Sequence, residues 1–234
     1  MEAPIEFPDP SEAGPEGFLA VGGNLNVSKL LSAYRAGIFP WPMTGFPLAW
    51  FSPDPRAILT FDKFHVPRSL QKAKYRALND GWHFSMDRAF SEVIAACAGI
   101  ARKGQDGTWI TPRLLAAYLA LHRAGYAHSI ELWDRNGKLL AGMYGVEVDG
   151  IFSGESMFHH ASNGSKLVLE HTIEYLKSKS ATWMDIQVMT PHLQALGAEE
   201  MERGAFLRKL SADQRRARER QVRLFGDTDS PRKN

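Results

Sequence analysis

The amino-acid sequence predicts an α+β fold with two parts. A small N-terminal domain, residues 1–55, precedes a larger domain, residues 56–234, built on a mixed, mostly antiparallel sheet with flanking helices. The first part is dense in proline and glycine, from Pro4 to Pro55. The second carries three consecutive strand patterns separated by Asn-Gly and Asp-Gly turns, and then a helix and one more strand. A chain of 234 residues is long enough for this arrangement.

The N-terminal part contains one predicted helix and one aromatic loop. Asn26 is a helix-capping residue type, the run VSKLLSAYRA after it is amphipathic, and Gly37 suits the position that follows a helix. Residues 38–55, IFPWPMTGFPLAWFSPDP, contain five prolines, which argue against both a helix and a central strand. We expect an ordered loop that is either the wall of a binding site or an element packed on the core.

The larger part alternates strands and helices. Its predicted elements are a strand at RAILTF, a helix over Arg68–Leu78, a strand at WHFSMD, helices over Arg88–Ala98 and Arg113–Ala124, three meander strands, a long helix capped by Asn163 or Ser165, a strand at ATWMDIQV, a short helix after Pro191 and a helical tail from Arg203. This order is that of a GNAT-like acyltransferase core, in which the strand after the long helix runs parallel to its neighbour. The analogy concerns the fold and by itself implies no function.

Composition excludes several classes of protein. The single cysteine, Cys97, excludes an intrachain disulfide and a cysteine-cluster metal site, and its apolar surroundings favour a buried, inert thiol. No apolar run approaches the ~20 residues of a membrane span, and the acidic, proline-rich start is not a signal peptide. We therefore expect a cytoplasmic protein without a membrane partner.

Positive charge is concentrated in two segments, although the formal net charge is only +2. Residues 63–76 contain five basic and no acidic residues, and Arg208–Arg223 is a basic tail. Arg68, Lys72 and Arg76 are spaced four apart and form one stripe on the predicted helix. These segments either hold a phosphate backbone or are ordinary solvated helix faces.

Five segments carry a family resemblance. They are 17–25 (GFLAVGGNL), 30–41 (LLSAYRAGIFPW) with 50–59 (WFSPDPRAIL), 108–133 (TWITPRLLAAYLALHRAGYAHSIELW), 142–158 (GMYGVEVDGIFSGESMF) and 185–198 (DIQVMTPHLQALGA). In this order they resemble the bacterial leucyl/phenylalanyl-tRNA–protein transferases. Three departures are Phe51 in place of a tryptophan, Thr190-Pro191 before His192, and His159-His160 in place of Ser-Arg. The last two lie near the expected pocket and bear on donor preference.

The resemblance implies transfer of Leu or Phe, and of Met as a third donor, from aminoacyl-tRNA to proteins with N-terminal Arg or Lys, which marks them for degradation. It implies no cofactor and no metal, and we expect a monomer. Asp185 and Gln187, two apart on a strand, share a face and resemble the family's proposed catalytic relay. Glu155 on the preceding strand is the third catalytic candidate, and Gly154 beside it permits a bulge. Without the resemblance, backbone hydrogen bonds at the strand end are the favoured explanation for Asp185 and Gln187, and a salt bridge across the sheet is the alternative for Glu155.

The remaining site residues also follow from the resemblance. Trp41 and Trp109 correspond to positions that contact the terminal adenosine of tRNA, although tryptophan is also a common loop anchor. Met143, Phe152, Leu169 and Met184 are candidates for the donor side-chain pocket, and the alternative for each is plain core. Arg68, Lys72, Lys74 and Arg76 correspond to a basic cluster that holds the acceptor stem.

Three other functions compete with this one. An acetyl-CoA-dependent N-acetyltransferase needs a glycine-rich pyrophosphate loop before the long helix, where this chain has HHASNGSK with Gly164 alone. A non-catalytic RNA-binding module would use the basic helix and the tryptophans, and a sibling transferase would follow other acceptor rules. A metal site at His159, His160 and His192 is disfavoured because adjacent strand residues face opposite sides and no further ligand has motif spacing.

Overall fold

A computed structural model describes residues 7–42, 47–100 and 109–226. The strands of this part of the chain are β1 (Phe18–Val21), β2 (Phe39–Pro40), β3 (Ala49–Phe51), β4 (Arg56–Thr60), β5 (His83–Met86), β6 (Ala127–Trp133), β7 (Leu139–Val148), β8 (Ile151–His159), β9 (Trp183–Gln187) and β10 (Glu199–Met201). The helices are α1 (Val27–Arg35), α2 (Arg68–Asn79), α3 (Phe90–Gly99), α4 (Pro112–Arg123), α5 (Gly164–Ser178), α6 (Pro191–Gln194) and α7 (Arg203–Glu219), with a 3-10 turn at Pro10–Glu12.

The larger sheet has seven strands in the order β10-β4-β9-β8-β7-β6-β5. Its pairings are antiparallel except between β8 and β9, which run parallel with Ser153 opposite Asp185. The predicted three-strand meander is therefore present as β6, β7 and β8, followed by α5 and then β9. The protein is a mixed α+β structure with a mostly antiparallel sheet, as the sequence predicts.

The proline-rich segment forms more structure than the sequence predicts. β1, β3 and β2 make a small antiparallel sheet in which β3 is the central strand, so the expectation of no central strand is wrong over three residues. The reason is local: Ala49–Phe51 contains no proline and keeps its backbone donors. Trp50 is buried under this sheet, and its indole N–H donates to the carbonyl of Gly22 at 3.0 Å. Residues 43–46 of the predicted loop lie outside the described residues.

Helix ends follow the predicted capping residues in two cases and differ in one. The Asn26 side chain accepts a hydrogen bond from the Lys29 N–H at 2.8 Å, and the Thr111 hydroxyl caps α4 at the Leu114 N–H at 3.3 Å. Asn163 stands at the N-cap of α5 but makes no side-chain cap bond, because its backbone is left-handed (φ 63°).

The N-terminal segment shares a hydrophobic core with the larger part of the chain. Leu30 and Trp50 belong to one buried cluster with residues of α3, α4 and β7, such as Val93, Tyr118 and Tyr144. A second cluster fills the space between the sheet and α5, and a third lies beneath α7. The division into domains at residue 55 stays a prediction.

Gly145 is a position where β7 and β8 require glycine. A methyl group there would overlap the carbonyl oxygen of Ser153 and the ring of Phe152. We expect Gly145→Ala to lower the free energy of unfolding by about 1–3 kcal/mol through overpacking. The matched change Gly99→Ala, on a helix with nothing within 4 Å, is expected to be neutral or slightly stabilising. Urea unfolding of both variants measures the difference, and equal stabilities would contradict it.

Candidate active site

A cavity opens where β8 and β9 part, beyond the pairing of Ser153 with Asp185. Its volume is about 530 Å³. The apolar wall consists of Met143, Met157, Leu169, Met184, Ile186 and Leu193, and the polar groups that face it include Glu155, Gln187 and His192. Trp41 and Trp109 also line it. Apolar walls with a few convergent polar groups are typical of small-molecule and substrate sites.

A bulge in β8 brings Glu155 into the cavity. Gly145 pairs with Gly154 and Tyr144 pairs with Ser156, which leaves Glu155 as an extra residue without a partner on β7. Gly154 keeps the cavity open, because a methyl group there would lie 2.7 Å from Cε of Met184 and 3.5 Å from Cε of Met143. The register of β7 and β8 thus contains the bulge that Gly154 was predicted to permit.

Glu155 is surrounded by hydrogen-bond donors. Its Oε1 accepts from Nε2 of Gln187 at 2.7 Å, and its Oε2 accepts from the hydroxyl of Tyr118 at 2.9 Å. Burial raises the pKa of the Glu155 carboxyl, the Tyr34 and Tyr118 hydroxyls lower it, and the charge of Asp185 raises it, so that the pKa is about 7. A carboxyl with this pKa is partly ionised at neutral pH, which suits a general base.

Asp185 does not line the cavity, although it was the first catalytic candidate from the sequence. Its carboxylate makes a bidentate ion pair with Arg56, with Nε–Oδ1 at 2.9 Å and Nη2–Oδ2 at 2.6 Å. Both side chains are almost fully buried. Oδ1 also accepts from the backbone N–H of Gln187 at 3.0 Å. The contacts of Asp185 therefore hold its neighbours in place, and it reaches the cavity through Gln187.

Gln187 has a backbone conformation that strand alternation does not predict. The register of β9 on β4 shifts so that Ile186 is bulged, and Gln187 is left-handed with φ 60°. This conformation costs free energy in a residue other than glycine, and such residues cluster at functional sites. The expectation that Asp185 and Gln187 project side by side from a regular strand is therefore wrong. They are joined instead by the hydrogen bond from the Gln187 backbone.

The two tryptophans that the sequence analysis singled out lie together. The rings of Trp41 and Trp109 stack with centroids 5.5 Å apart and planes 4° apart. Because these rings already stack on each other, an adenine base has no space between them in this arrangement. Both rings also line the cavity.

Three of the four donor-pocket candidates line the cavity, and one does not. Met143, Leu169 and Met184 are in its wall. Phe152 is fully buried elsewhere, and its ring lies over Gly145 and against Phe225, with ring centroids 5.2 Å apart. Phe152 shares the face of β8 with Gly154, but the space above Gly145 draws its ring into the core. Phe152 therefore does not line this cavity, and its place in the donor pocket stays a prediction.

The basic stripe of α2, Arg68, Lys72 and Arg76, is exposed, and Lys74 lies off the stripe, as the four-residue spacing predicts. Arg68, Lys72 and Arg76 line a shallow surface depression together with Gln71 and Tyr75. Lys74 instead donates to Glu170 at 3.2 Å and to Glu174 at 2.7 Å on α5. Burial alone would lower the pKa of Lys74, but the carboxylates of Glu174 and Glu170 outweigh burial and raise it. Its charge is thus neutralised within the protein.

Four residues at or near the cavity were not predicted from the sequence: Arg56, Tyr34, Tyr118 and, as a cavity residue, His192. Arg56 carries a signal, because a charged residue stands at the start of an otherwise apolar strand. The tyrosines lie on the apolar faces of α1 and α4 and read as core. His192 lines the cavity, where burial and the charges of Lys166 and His159 lower its pKa. The described residues bring no three His, Cys, Asp or Glu side chains together as a metal site would.

Comparison with known proteins identifies the chain. A family model described as leucyl/phenylalanyl-tRNA protein transferase matches residues 58–211, and the model of that family's N-terminal domain matches residues 23–54. A protein of Maridesulfovibrio salexigens with the name leucyl/phenylalanyl-tRNA–protein transferase is 47% identical over 207 residues, which cover 88% of this chain and 85% of the relative. An Anaeromyxobacter protein of the same name is 46% identical over 207 residues, covering 88% and 86%.

These matches define an enzyme of the aminoacyltransferase class. The chain belongs to the leucyl/phenylalanyl-tRNA–protein transferase family. A looser likeness is to the solved structure of L-PGS from Bacillus licheniformis, with a TM-score of 0.43 and 15% identity over 66% of this chain and 48% of that one. That score does not establish a shared fold. None of the helices in the described ranges has the length and apolar character that crossing a bilayer requires.

The buried pair of Arg56 and Asp185 is expected to dominate local stability. Arg56→Met leaves the Asp185 carboxylate buried without its cation and is expected to lower the free energy of unfolding by about 3–5 kcal/mol. Lys63 and Glu199 form an exposed ion pair, so Lys63→Met is the matched control, with an expected change of no more than about 1 kcal/mol. Urea unfolding measures both changes. A loss from Arg56→Met as small as that of the control would contradict the role given to this pair.

Proposed function

We propose that this enzyme transfers Leu or Phe, with Met as a third donor, from aminoacyl-tRNA to the N-terminal amine of proteins that begin with Arg or Lys. The observation that carries the proposal is the single cavity wall that joins two stacked tryptophans, an apolar slot and the Glu155–Gln187 pair. Each part suits one part of the reaction: the terminal adenosine, the donor side chain and the acceptor amine. We further propose that the enzyme acts as a cytoplasmic monomer and that the product is marked for degradation.

The fold assignment supports the same reaction. We propose that the seven-stranded sheet is a GNAT-like core, because a meander and a crossing helix lead to a strand that runs parallel to its neighbour. Acyl donors bind in that fold where the two strands part. In this chain that position is occupied by the cavity between β8 and β9, which holds Gly154 and Glu155 on one side and Met184 and Gln187 on the other.

The donor slot is apolar and adaptable. Met143, Met157 and Met184 contribute flexible thioether side chains, which adjust to different shapes more readily than branched residues do. Apolar contact separates side chains by only ~1–3 kcal/mol per methylene. A slot of this kind accepts Leu, Phe and Met with modest preference and rejects charged side chains.

The reaction needs two proton transfers, one from the acceptor amine and one to the ribose oxygen that leaves. The acceptor nitrogen attacks the ester carbonyl, the C–N bond forms, and the C–O bond to the ribose breaks. The amine loses one proton and the ribose oxygen gains one. Glu155 is our candidate for the group that takes the first proton and returns the second, since it is buried, faces the cavity and has a pKa of about 7.

Gln187 and Asp185 serve this step in different ways. Nε2 of Gln187 orients the Glu155 carboxyl, and its amide is a donor of the type that stabilises a developing oxyanion. Asp185 acts as a positioning residue, because its carboxylate fixes the backbone of Gln187. Glu155 is also the acidic residue of the cavity wall and attracts a cationic N-terminus.

Glu155→Gln is expected to lower the transfer rate at pH 7 by about 10²–10⁴-fold, because the variant keeps the size of the side chain and loses the base. The assay measures incorporation of labelled Phe or Leu from charged tRNA into a protein that begins with Arg. The same substitution at the exposed Glu92 of α3 is the control and is expected to have no effect. If Glu155→Gln transferred as fast as wild type, Glu155 would not be the base. If wild type itself failed to transfer, the function would be wrong.

The α2 stripe is expected to bind the tRNA backbone. Replacing Arg68, Lys72 and Arg76 by Ala should raise KM for aminoacyl-tRNA, leave kcat nearly unchanged and reduce the dependence of log(kcat/KM) on log[salt] by up to about 2–3. The single variant Lys74→Ala should change this slope little, because Lys74 is paired with Glu170 and Glu174. Removing three exposed charges elsewhere, Arg123, Arg135 and Lys138, controls for net charge. Equal salt slopes in the two triple variants would contradict the assignment.

A further inference from the structure

Two buried tyrosines stand behind Glu155, and the proposed reaction gives them no role. Tyr118 of α4 is fully buried and donates its hydroxyl hydrogen to Oε2 of Glu155 at 2.9 Å. The hydroxyl of Tyr34 on α1 lies 2.7 Å from the hydroxyl of Tyr118. Neither residue is part of the cavity lining, so neither is in position to touch a substrate there.

The direction of the hydrogen bonds in this cluster follows from counting hydrogens. The hydroxyl of Tyr118 has one hydrogen, which points to Glu155, so the Tyr118 oxygen must accept the hydrogen of Tyr34. Nε2 of Gln187 donates to the other oxygen of Glu155. Every bond in the chain from Tyr34 through Tyr118 to Glu155 therefore points towards the carboxyl. A group that receives donors on both oxygens is stabilised as a carboxylate.

We infer that Tyr118, backed by Tyr34, is a positioning residue that favours the ionised form of Glu155 and turns its carboxylate towards the acceptor amine. The inference rests on the proposed role of Glu155 as base. It gives α1 and α4 a part in the reaction, because each contributes one hydroxyl to the chain. The N-terminal segment that carries α1 thereby acts on the catalytic carboxyl of the larger sheet through two side chains.

The other groups around Glu155 do not replace these hydroxyls. β9 contributes Gln187, which is already bonded to Oε1, and Asp185, whose charge is paired with Arg56 of β4. β7 contributes Tyr144, whose ring lies 5.3 Å from that of Tyr118, and α6 contributes His192 to the cavity lining. Burial raises the pKa of both Tyr34 and Tyr118 well above 10, so both remain protonated donors over the working range. These two hydroxyls and Gln187 oppose the effect of burial on Glu155.

The test is the pH dependence of transfer by Tyr118→Phe, with the same charged tRNA and Arg-initiated acceptor as wild type. Loss of a hydrogen bond to an ionised group should move the acidic limb of the pH–rate profile upward by about one to two pH units. At pH values below the acidic limb, the rate of Tyr118→Phe should be ~10–100-fold lower than that of wild type. Near pH 9 the two rates should become similar. Tyr34→Phe should shift the limb in the same direction, because the Tyr34 hydroxyl also lowers the pKa of Glu155.

Tyr175→Phe is the matched control. It removes a hydroxyl that donates to the backbone carbonyl of Leu224 at 2.7 Å, at a position that does not line the cavity, and should leave the limb where it is in wild type. A Tyr118→Phe profile whose limb is unshifted, or whose rate is reduced equally at every pH, would overturn the inference. If Tyr118→Phe does not fold, as judged by thermal unfolding, the Tyr34→Phe profile decides in the same way. Active wild type with unshifted variants would leave the proposed function intact.

Discussion

The buried ion pair of Arg56 and Asp185 determines how the parts of this protein meet. Arg56 holds both oxygens of Asp185, donates from Nη1 to the carbonyl of Gly37 at 3.0 Å, and lies over the rings of Phe39 and Phe206. One guanidinium thus contacts the end of the N-terminal helix, the small sheet, β9 and α7. Removing two charges from water is unfavourable unless every donor and acceptor is satisfied, and this requirement leaves few alternative arrangements of these elements.

The ion pair acts on the cavity through a chain of hydrogen bonds. Asp185 fixes the backbone of Gln187, the Gln187 side chain orients Glu155, and Glu155 is held on its other oxygen by Tyr118. Buried polar networks of this kind are stable when every member is bonded and costly when one is left unpaired. The left-handed backbone of Gln187 is held on both sides, because its N–H donates to Asp185 and its Nε2 donates to Glu155. The strain and the network therefore occur at the same place.

Much of the fold could be predicted from the sequence, because helix caps, turns and strand patterns depend on residues that are close together in the chain. The Asn26 and Thr111 caps, the meander turns and the order of α5 and β9 follow from neighbouring residues. Family motifs led to both tryptophans and to Glu155, and these three do line one cavity. The positions of Phe152, Lys74 and Asp185 could not be predicted this way. Each depends on a partner distant in the chain: Phe225 for Phe152, Glu170 for Lys74 and Arg56 for Asp185.

The same distant partners separate the roles of the two carboxyls. Asp185 and Glu155 are both candidates for a base from the sequence, and both stand where β8 and β9 meet. Their surroundings differ, however. Asp185 is bonded to a guanidinium and lies outside the cavity, whereas Glu155 accepts from neutral donors, faces the cavity and has a pKa of about 7. A base must reach the group whose proton it takes, and Asp185, held by Arg56, does not face the cavity. These surroundings support the proposal that Glu155 transfers the proton, whereas Asp185 fixes the backbone of Gln187.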